Sequence, residues 1–135
     1  MWTHEESIEI DATPARIWSV LADVPGWRRW NAGIERIELH GPFITGTTFT
    51  MQPPGTDAFV STLIAVEEQG GFTDETVIDE TRVIVEHRIE ALTPRTARVT
   101  YATRITGPEA DVIGPEVTAD FGDVLRGLKR ISEQA

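Results

Sequence analysis

The chain has 135 residues, of which 40% are hydrophobic and 25% charged, and a net charge of −10 at neutral pH. This is the size and composition of one ordinary globular domain. The negative charge argues against nucleic acid and anionic membrane surfaces as partners, because proteins bind both through clustered Lys and Arg. There is no cysteine, which excludes disulfides, zinc–thiolate sites and thiol catalysis.

The start of the chain gives no sign of export or membrane insertion. Residues 1–11 lack the apolar segment of a signal peptide, and no apolar run anywhere is long enough to span a bilayer. We therefore expect a cytoplasmic protein.

The N-terminal third predicts one strand and two short helices. Trp2 to Ile10 alternates polar and apolar residues, which predicts a strand. Thr13 is a typical helix cap and Pro14 suits the first turn, so a short helix is expected to begin there. Trp27 and Trp30, three residues apart, indicate a second short helical turn.

From residue 33 onward the sequence pattern changes to that of a sheet. Short β-rich segments are separated by Gly and Pro, and they predict six strands at 34–39, 47–52, 58–67, 72–77, 82–92 and 97–105. The fourth segment and its turn carry an acidic run at Asp74, Glu75, Asp79 and Glu80. A site for a hard cation is one hypothesis for this run; we favour a solvated strand end, because the spacing matches no calcium loop.

The last two predicted strands form an antiparallel hairpin around Pro94. Each has one apolar face, and matching these faces sets the register, since a slip of one residue would invert one strand. In that register His87 lies opposite Tyr101, and Glu90 lies opposite Arg98.

The C-terminal segment, residues 114–134, predicts one long amphipathic helix. Its apolar stripe recurs at helical spacing through Val117, Phe121, Val124, Leu128 and Ile131. Pro115 is expected at the first helical position. The stripe is too long to bury against one short helix and needs a sheet. The predicted fold is therefore α+β, with a curved seven-stranded antiparallel sheet wrapped around the C-terminal helix and a cavity between them.

Residues along the whole chain carry a family resemblance. They are Ile10-Asp11-Ala12-Thr13-Pro14, Ile17-Trp18, Leu21-Ala22-Asp23, Trp27, Trp30-Asn31, His87, Gly107-Pro108, Leu125, Leu128-Lys129 and Glu133. With these elements in this order, the chain resembles the START-like (Bet v 1-like, SRPBCC) superfamily and, within it, the polyketide cyclase/dehydrase group. The resemblance implies a single helix-grip domain over residues 1–135 with an apolar pocket. It leaves function open, because the group includes cyclases, lipid carriers and hormone-binding proteins.

Two residues are candidates for acid–base chemistry in that pocket. On the predicted register, His87 and Tyr101 face the concave side together, where an imidazole and a phenol can polarise a carbonyl or move a proton. The alternative for His87 is a histidine that only hydrogen-bonds its neighbours. Predicted ligand contacts, which can equally be core positions, are His87, Tyr101, Val85, Thr103, Val117, Phe121, Val124 and Trp30, with Glu6 as a further inward polar group.

The remaining motifs narrow the chemistry. There is no H-E-x-x-H motif, no glycine loop that would cradle a phosphate, and no nucleophile elbow. We therefore expect no metal, no cofactor and no covalent hydrolase chemistry.

Three functions remain. The first is binding of a small apolar or aromatic molecule, and the second is a cyclase or dehydratase acting on a polyketide-like aromatic substrate. The third is a protein-interaction module similar to co-chaperones, which would require an exposed apolar patch. Few inward polar groups are predicted, which favours binding. The expected partner is a small ligand, without nucleic acid or membrane insertion, and the protein is expected to be a monomer or homodimer.

Overall fold

A computed structural model describes residues 1–134 and contains one seven-stranded antiparallel sheet in the order β1-β7-β6-β5-β4-β3-β2. The strands are β1 (Trp2–Ile10), β2 (Arg36–Leu39), β3 (Thr48–Gln52), β4 (Phe59–Glu67), β5 (Gly71–Ile78), β6 (Thr81–Thr93) and β7 (Thr96–Thr106). The helices are α1 (Pro14–Leu21), a 3₁₀ helix (Val24–Arg29), α2 (Ala110–Thr118) and α3 (Phe121–Ser132). The predicted α+β helix-grip architecture is confirmed. Within residues 1–134, no helix is long and apolar enough to cross a membrane.

The two short helices after β1 form where local sequence signals predict them. The Thr13 hydroxyl caps α1 by accepting a hydrogen bond from the Arg16 N–H at 3.1 Å, and Pro14 occupies the first turn. The predicted second turn is the 3₁₀ helix, where the Trp27 indole N–H donates to the Leu21 carbonyl at 2.8 Å. This bond ties the 3₁₀ helix to the end of α1.

The β6–β7 hairpin has the predicted register. His87 pairs with Tyr101, and Glu90 pairs with Arg98. The neighbouring β5–β6 pairing places Phe72 opposite His87 and continues two residues along the strand to Asp74. Because side chains alternate between faces of a strand, Phe72 and Asp74 share the inner face with His87 and Tyr101.

The C-terminal segment is two helices rather than the single helix predicted. α2 ends at Thr118, α3 begins at Phe121, and Pro115 lies inside α2 instead of at its start. The physical reason is that the two helices bury their apolar residues in different places. α2 packs with Trp2, Val83 and Ile105 in a small cluster at one end of the sheet, whereas α3 packs into the main core.

Helix α3 is held close to the concave face by contacts at its middle and its end. A Cβ atom at Gly127 would overlap the carbonyl oxygen of Trp30, so only glycine allows this approach. At the C-terminus, the Arg16 guanidinium donates to the carbonyls of Ile131 and Ser132, at 3.0 and 3.3 Å. These contacts join α3 to α1 and to the segment after the 3₁₀ helix.

Candidate functional site

A continuous row of rings crosses the concave face from β5 to α3; we call Phe72, His87, Tyr101 and Phe121 the ring row. Phe72 and His87 stack with centroids 4.0 Å apart, and His87 meets Tyr101 edge-on at 4.5 Å. Tyr101 in turn meets Phe121 edge-on at 5.7 Å. Strand register positions the first three rings and α3 supplies the fourth, so segments far apart in the sequence assemble the row.

His87 is buried as a neutral imidazole. Its Nδ1 lies 3.1 Å from the Phe72 carbonyl oxygen, and because a carbonyl only accepts, we assign the proton to Nδ1. Burial lowers the pKa of His87 to about 4, although the bond to the Phe72 carbonyl opposes this shift. Near neutral pH, Nε2 is therefore an unprotonated acceptor in the interior.

The carboxyl group of Asp74 lies close to that nitrogen. Its Oδ2 lies 3.9 Å from His87 Nε2, and the His87 and Asp74 side chains keep only 11% and 14% of their surface exposed. Burial raises the pKa of Asp74 to about 7. The expected solvated strand end is therefore wrong for Asp74. The missed signal is that Asp74 is in phase with Phe72 and Thr76, which are buried.

The cation site considered for the acidic run does not form. Among the described residues, no group of three potential ligand side chains is arranged to hold a metal ion. Asp74 faces inward, while the adjacent Glu75 forms an ion pair with Arg82.

Tyr101 stays a neutral phenol. Burial raises its pKa well above the usual value, and the nearby carboxyl groups of Asp74 and Asp120 raise it further. Asp120 is the residue just before α3, and burial raises its pKa as well. The site therefore combines a neutral imidazole, a neutral phenol and a carboxyl group that ionises near neutral pH, which is the kind of opposed tuning seen in acid–base sites.

The other predicted contact residues divide into those beside the ring row and those further along the helices. Val85 and Thr103 pair across β6 and β7 next to His87 and Tyr101, and the Thr103 hydroxyl donates to the Ile84 carbonyl at 2.8 Å. The remaining three belong to the main core or pack against it: Val124 on α3, Val117 on α2 and Trp30 after the 3₁₀ helix.

Glu6 lies on β1 at the solvent-exposed end of the site. It pairs with Tyr101 in the sheet, and its carboxylate lies 3.2 Å from Nε2 of His4. The His4 ring is 6.0 Å from Phe121. The His4 and Glu6 side chains are 38% and 39% exposed, so this end of the site is open to water.

The space expected between the sheet and α3 is filled by side chains in this structure. Phe72, Tyr101 and Phe121 are 3%, 5% and 6% exposed. Two shallow depressions of about 170 and 450 Å³ are lined by strand and turn residues, and neither is lined by a residue of α2 or α3. A ligand that enters between the sheet and α3 must therefore displace packed rings.

The outer face of the sheet carries exposed apolar residues. Val60 on β4 and Val77 on β5 are 55% and 59% exposed, beside the paired residues Ser61 and Thr76. Ile64 on β4 is exposed as well. Ile78 at the end of β5 is also exposed, but it is in phase with the inner residues Phe72 and Asp74 and does not belong to this face. This is the kind of surface that the interaction-module hypothesis requires.

The curved antiparallel sheet, the C-terminal helix and the short helices after β1 give the chain the Bet v 1-like helix-grip fold. It is similar to a truncated norcoclaurine synthase from Thalictrum flavum, with 14% identity, 99% of this chain and 94% of that chain covered, and a TM-score of 0.78. It is similar to Ara h 8.0201, with 14% identity, 97% of both chains and a TM-score of 0.77. It also resembles the di-domain ARO/CYC BexL of the BE-7585A biosynthetic pathway, with 14% identity, 96% of this chain, 46% of that chain and a TM-score of 0.77. At these identities the likeness shows the fold.

Residues 1–133 match the family described as polyketide cyclase/dehydrase and lipid transport. The chain belongs to this family, and the resemblance noted in the sequence is confirmed. No curated protein matches the sequence.

Proposed function

We propose that the protein binds a small aromatic or apolar molecule between the concave face of the sheet and α3, against the ring row. The observation that supports this proposal most directly is that His87 lies stacked on Phe72 and edge-on to Tyr101 in the interior. Such a row offers ring faces and edges to an aromatic ligand. The polar atoms of His87 and Tyr101 then fix the ligand's orientation, as a few polar groups do in largely apolar pockets.

Phe121 is the residue that the ligand displaces. It is the first residue of α3, it lies directly after the non-helical pair Ala119–Asp120, and its ring covers Tyr101. A ring at a helix terminus can move by rotation about its own side-chain bonds and a small shift of the helix start. The site therefore opens without disturbing the β6–β7 hairpin.

The first experiment is native mass spectrometry of the protein purified from its own host, followed by extraction of any bound compound. A recurring small apolar mass supports the proposal. A thermal-shift screen with naphthalene as the probe extends the test to protein that is purified empty. The proposal is wrong if no mass recurs and neither naphthalene nor any other apolar probe raises the melting temperature.

A matched pair of variants on α2 locates the bound probe. Val117 is half-buried against both apolar clusters, whereas Val112 is 62% exposed on the same helix. We expect Val117→Trp to weaken naphthalene binding by about tenfold or more, because the indole fills space at the ligand's edge. Val112→Trp should leave the affinity within about twofold, since exposed substitutions change little. Equal effects of the two substitutions would place the probe elsewhere.

A cyclase or dehydratase acting on a polyketide-like aromatic substrate is the second candidate function. The observation that favours it is the Asp74–His87 pair, whose pKa values burial moves in opposite directions, to about 7 and about 4. In this role the carboxyl group of Asp74 donates a proton and the imidazole of His87 accepts one. Incubation with a linear aromatic poly-β-ketone, followed by product analysis, tests this function. Wild-type protein should change the product distribution, and His87→Ala should abolish that change.

The proposal includes the setting of the protein. We place it in the cytoplasm, a location that suits its cysteine-free composition. We also propose that it is a monomer or a homodimer. Size-exclusion chromatography with light scattering, with and without naphthalene, measures the oligomeric state. A higher oligomer in both conditions would contradict this part.

A further inference from the structure

We propose that the ligand carries an uncharged hydroxyl group on its ring, and that this hydroxyl lies between the carboxyl group of Asp74 and Nε2 of His87. The inference rests on the proposed function and deepens it, because it names the class of ligand: a phenol rather than a hydrocarbon, an acid or an amine. The starting point is the gap of 3.9 Å between Asp74 Oδ2 and His87 Nε2. The gap is too long for a direct hydrogen bond, yet one oxygen atom placed beside the pair can lie about 2.8 Å from each of the two atoms, with an angle of about 90° at that oxygen.

The donors and acceptors of the two side chains match a hydroxyl group. His87 uses Nδ1 to donate to the Phe72 carbonyl, which leaves Nε2 as a pure acceptor. The protonated carboxyl group of Asp74 can donate. A hydroxyl group satisfies both, because it donates to Nε2 and accepts from Asp74. A ketone oxygen leaves Nε2 without a donor, and a hydrocarbon leaves both polar groups unsatisfied, which is costly in a buried site.

The charges around the gap disfavour an anionic ligand. On β1, β5, β6 and β7 the titratable groups that face inward are His4, Glu6, Asp74, His87 and Tyr101, and no Lys or Arg is among the inward positions of these described strands. From the helical side, the carboxyl group of Asp120 adds to the same field. The Arg126 guanidinium on α3 lies near Glu6, at the exposed end of the site, and is already ion-paired with Asp123. A carboxylate ligand at the gap would meet these acids with no Lys or Arg among the inward positions of the described strands to compensate its charge.

A cationic ligand is disfavoured by desolvation. The interior around Asp74 and His87 is lined by rings, and an ammonium group would lose its hydration there. Its one partner at the gap, Asp74, holds its proton over much of the range below neutral pH. An ion pair of this kind would have to overcome the desolvation of both charges. A neutral hydroxyl group has a much smaller desolvation cost.

The gap is within reach of an entering group. The His87 and Asp74 side chains keep 11% and 14% of their surface accessible. The Phe72 and Tyr101 rings flank His87 at 4.0 and 4.5 Å. A phenol can therefore place its hydroxyl at the gap while its ring contacts the ring row.

Four probes on one scaffold test the proposal: 2-naphthol, naphthalene, 2-naphthoate and (2-naphthyl)methylammonium. Dissociation constants are measured by tryptophan fluorescence at about pH 6, where the Asp74 carboxyl group is mostly protonated. We expect 2-naphthol to bind at least about tenfold more tightly than naphthalene. Both charged probes should bind more weakly than naphthalene.

Variants of Asp74 and His87 test the contact with the hydroxyl group. For each variant we compare its affinity for 2-naphthol with its own affinity for naphthalene, so a variant that weakens binding of both probes equally leaves the ratio unchanged. Asp74→Leu and His87→Phe should reduce that ratio to within about twofold of unity, since each removes one hydrogen bond and leaves the other group unsatisfied. Asp74→Asn keeps a donor and should retain most of the preference. Glu75→Leu is the matched control, because Glu75 is the next residue of β5 and forms an ion pair with Arg82; its ratio should equal that of the wild type.

The outcomes distinguish this inference from the proposed function. Equal affinities for naphthalene and 2-naphthol in the wild type would overturn the inference and leave apolar binding standing. A preference for the ammonium probe or for 2-naphthoate would overturn it in the same way. An unchanged ratio in both Asp74→Leu and His87→Phe would show that the hydroxyl lies elsewhere. If none of the four probes binds, the proposed function fails and the inference falls with it.

Discussion

At the scale of single residues, burial makes Asp74 and His87 both uncharged over a shared range of pH. The pKa of Asp74 rises to about 7 and that of His87 falls to about 4, and in each the first cause is loss of hydration. Between these values the interior holds two polar groups and almost no charge. A site of this kind recognises a neutral ligand by hydrogen bonds, and it becomes negatively charged once Asp74 ionises.

The same two pKa values predict how stability depends on pH. The folded pKa of Asp74 lies above its unfolded value, so its contribution to stability falls as pH rises from about 4 to about 7. The folded pKa of His87 lies below its unfolded value, so its contribution rises between about 4 and 6.5. Asp74→Asn should therefore gain stability relative to the wild type as pH rises, reaching roughly 2–4 kcal/mol at about pH 8.

Urea denaturation at several pH values between about 4 and 8 measures this difference. Asp79→Asn serves as the control substitution, because Asp79 is exposed in the turn after the same strand. Parallel curves for Asp74→Asn and the wild type would mean that Asp74 is not buried as the structure shows.

At the scale of elements, α3 contains two glycines, and we expect their substitution by alanine to have opposite effects on stability. At Gly127 a Cβ atom would overlap the Trp30 carbonyl oxygen, which belongs to the backbone. At Gly122 a Cβ atom would meet only the ends of side chains: the Arg126 nitrogens at 3.3 and 3.6 Å and a Glu6 oxygen at 3.5 Å. Alanine is the better helix former by up to about 1 kcal/mol. We expect Gly122→Ala to be neutral or stabilising, and Gly127→Ala to lower the free energy of unfolding by about 1–3 kcal/mol because α3 must move outward.

Thermal and urea unfolding of the two variants measure this contrast. The Gly127 variant should also bind naphthalene differently from the wild type, since α3 forms one wall of the proposed site. A stabilising Gly127→Ala substitution would show that α3 does not pack this closely on Trp30.

The sequence predicted the elements well, except at the start of the C-terminal helix. The stripe from Val117 to Ile131 keeps one helical spacing through the break at Ala119–Asp120. Periodicity reports which residues face inward and says nothing about whether they face the same core. Here Val117 also packs on the small cluster with Ile105, whereas Val124 belongs to the main core alone. The break between α2 and α3 follows from the fact that the two helices pack in different clusters.

At the scale of the whole molecule, rings fill the space between the sheet and α3, and binding in that space requires an opening. The link between α2 and α3, residues 119 and 120, is the non-helical segment nearest to Phe121 and is exposed. We expect hydrogen exchange of amides 119–121 to be faster than that of residues 124–128 in the free protein. Naphthalene or 2-naphthol should slow the exchange at 119–121, because Phe121 must pack on the ligand.

Hydrogen exchange measured by mass spectrometry checks this prediction. The paired strands β6 and β7 serve as the internal control, because their amides should exchange slowly with or without the probe. Slowing confined to β2 and β3 would place the opening at the other edge of the sheet.

The sequence by itself determined the fold class, the α1 cap at Thr13 and the β6–β7 register that sets His87 against Tyr101. The Thr13 cap follows from residues adjacent in the chain. The β6–β7 register follows from a short turn and from the alternation of polar and apolar residues, which together allow only one pairing of the two strands. Only the tertiary structure decided that Asp74 faces His87, that the C-terminal segment forms two helices and that rings fill the space between the sheet and α3. Each of these depends on how β5, β6, β7 and α3 pack together, and contacts between distant segments leave no periodic pattern in a single sequence.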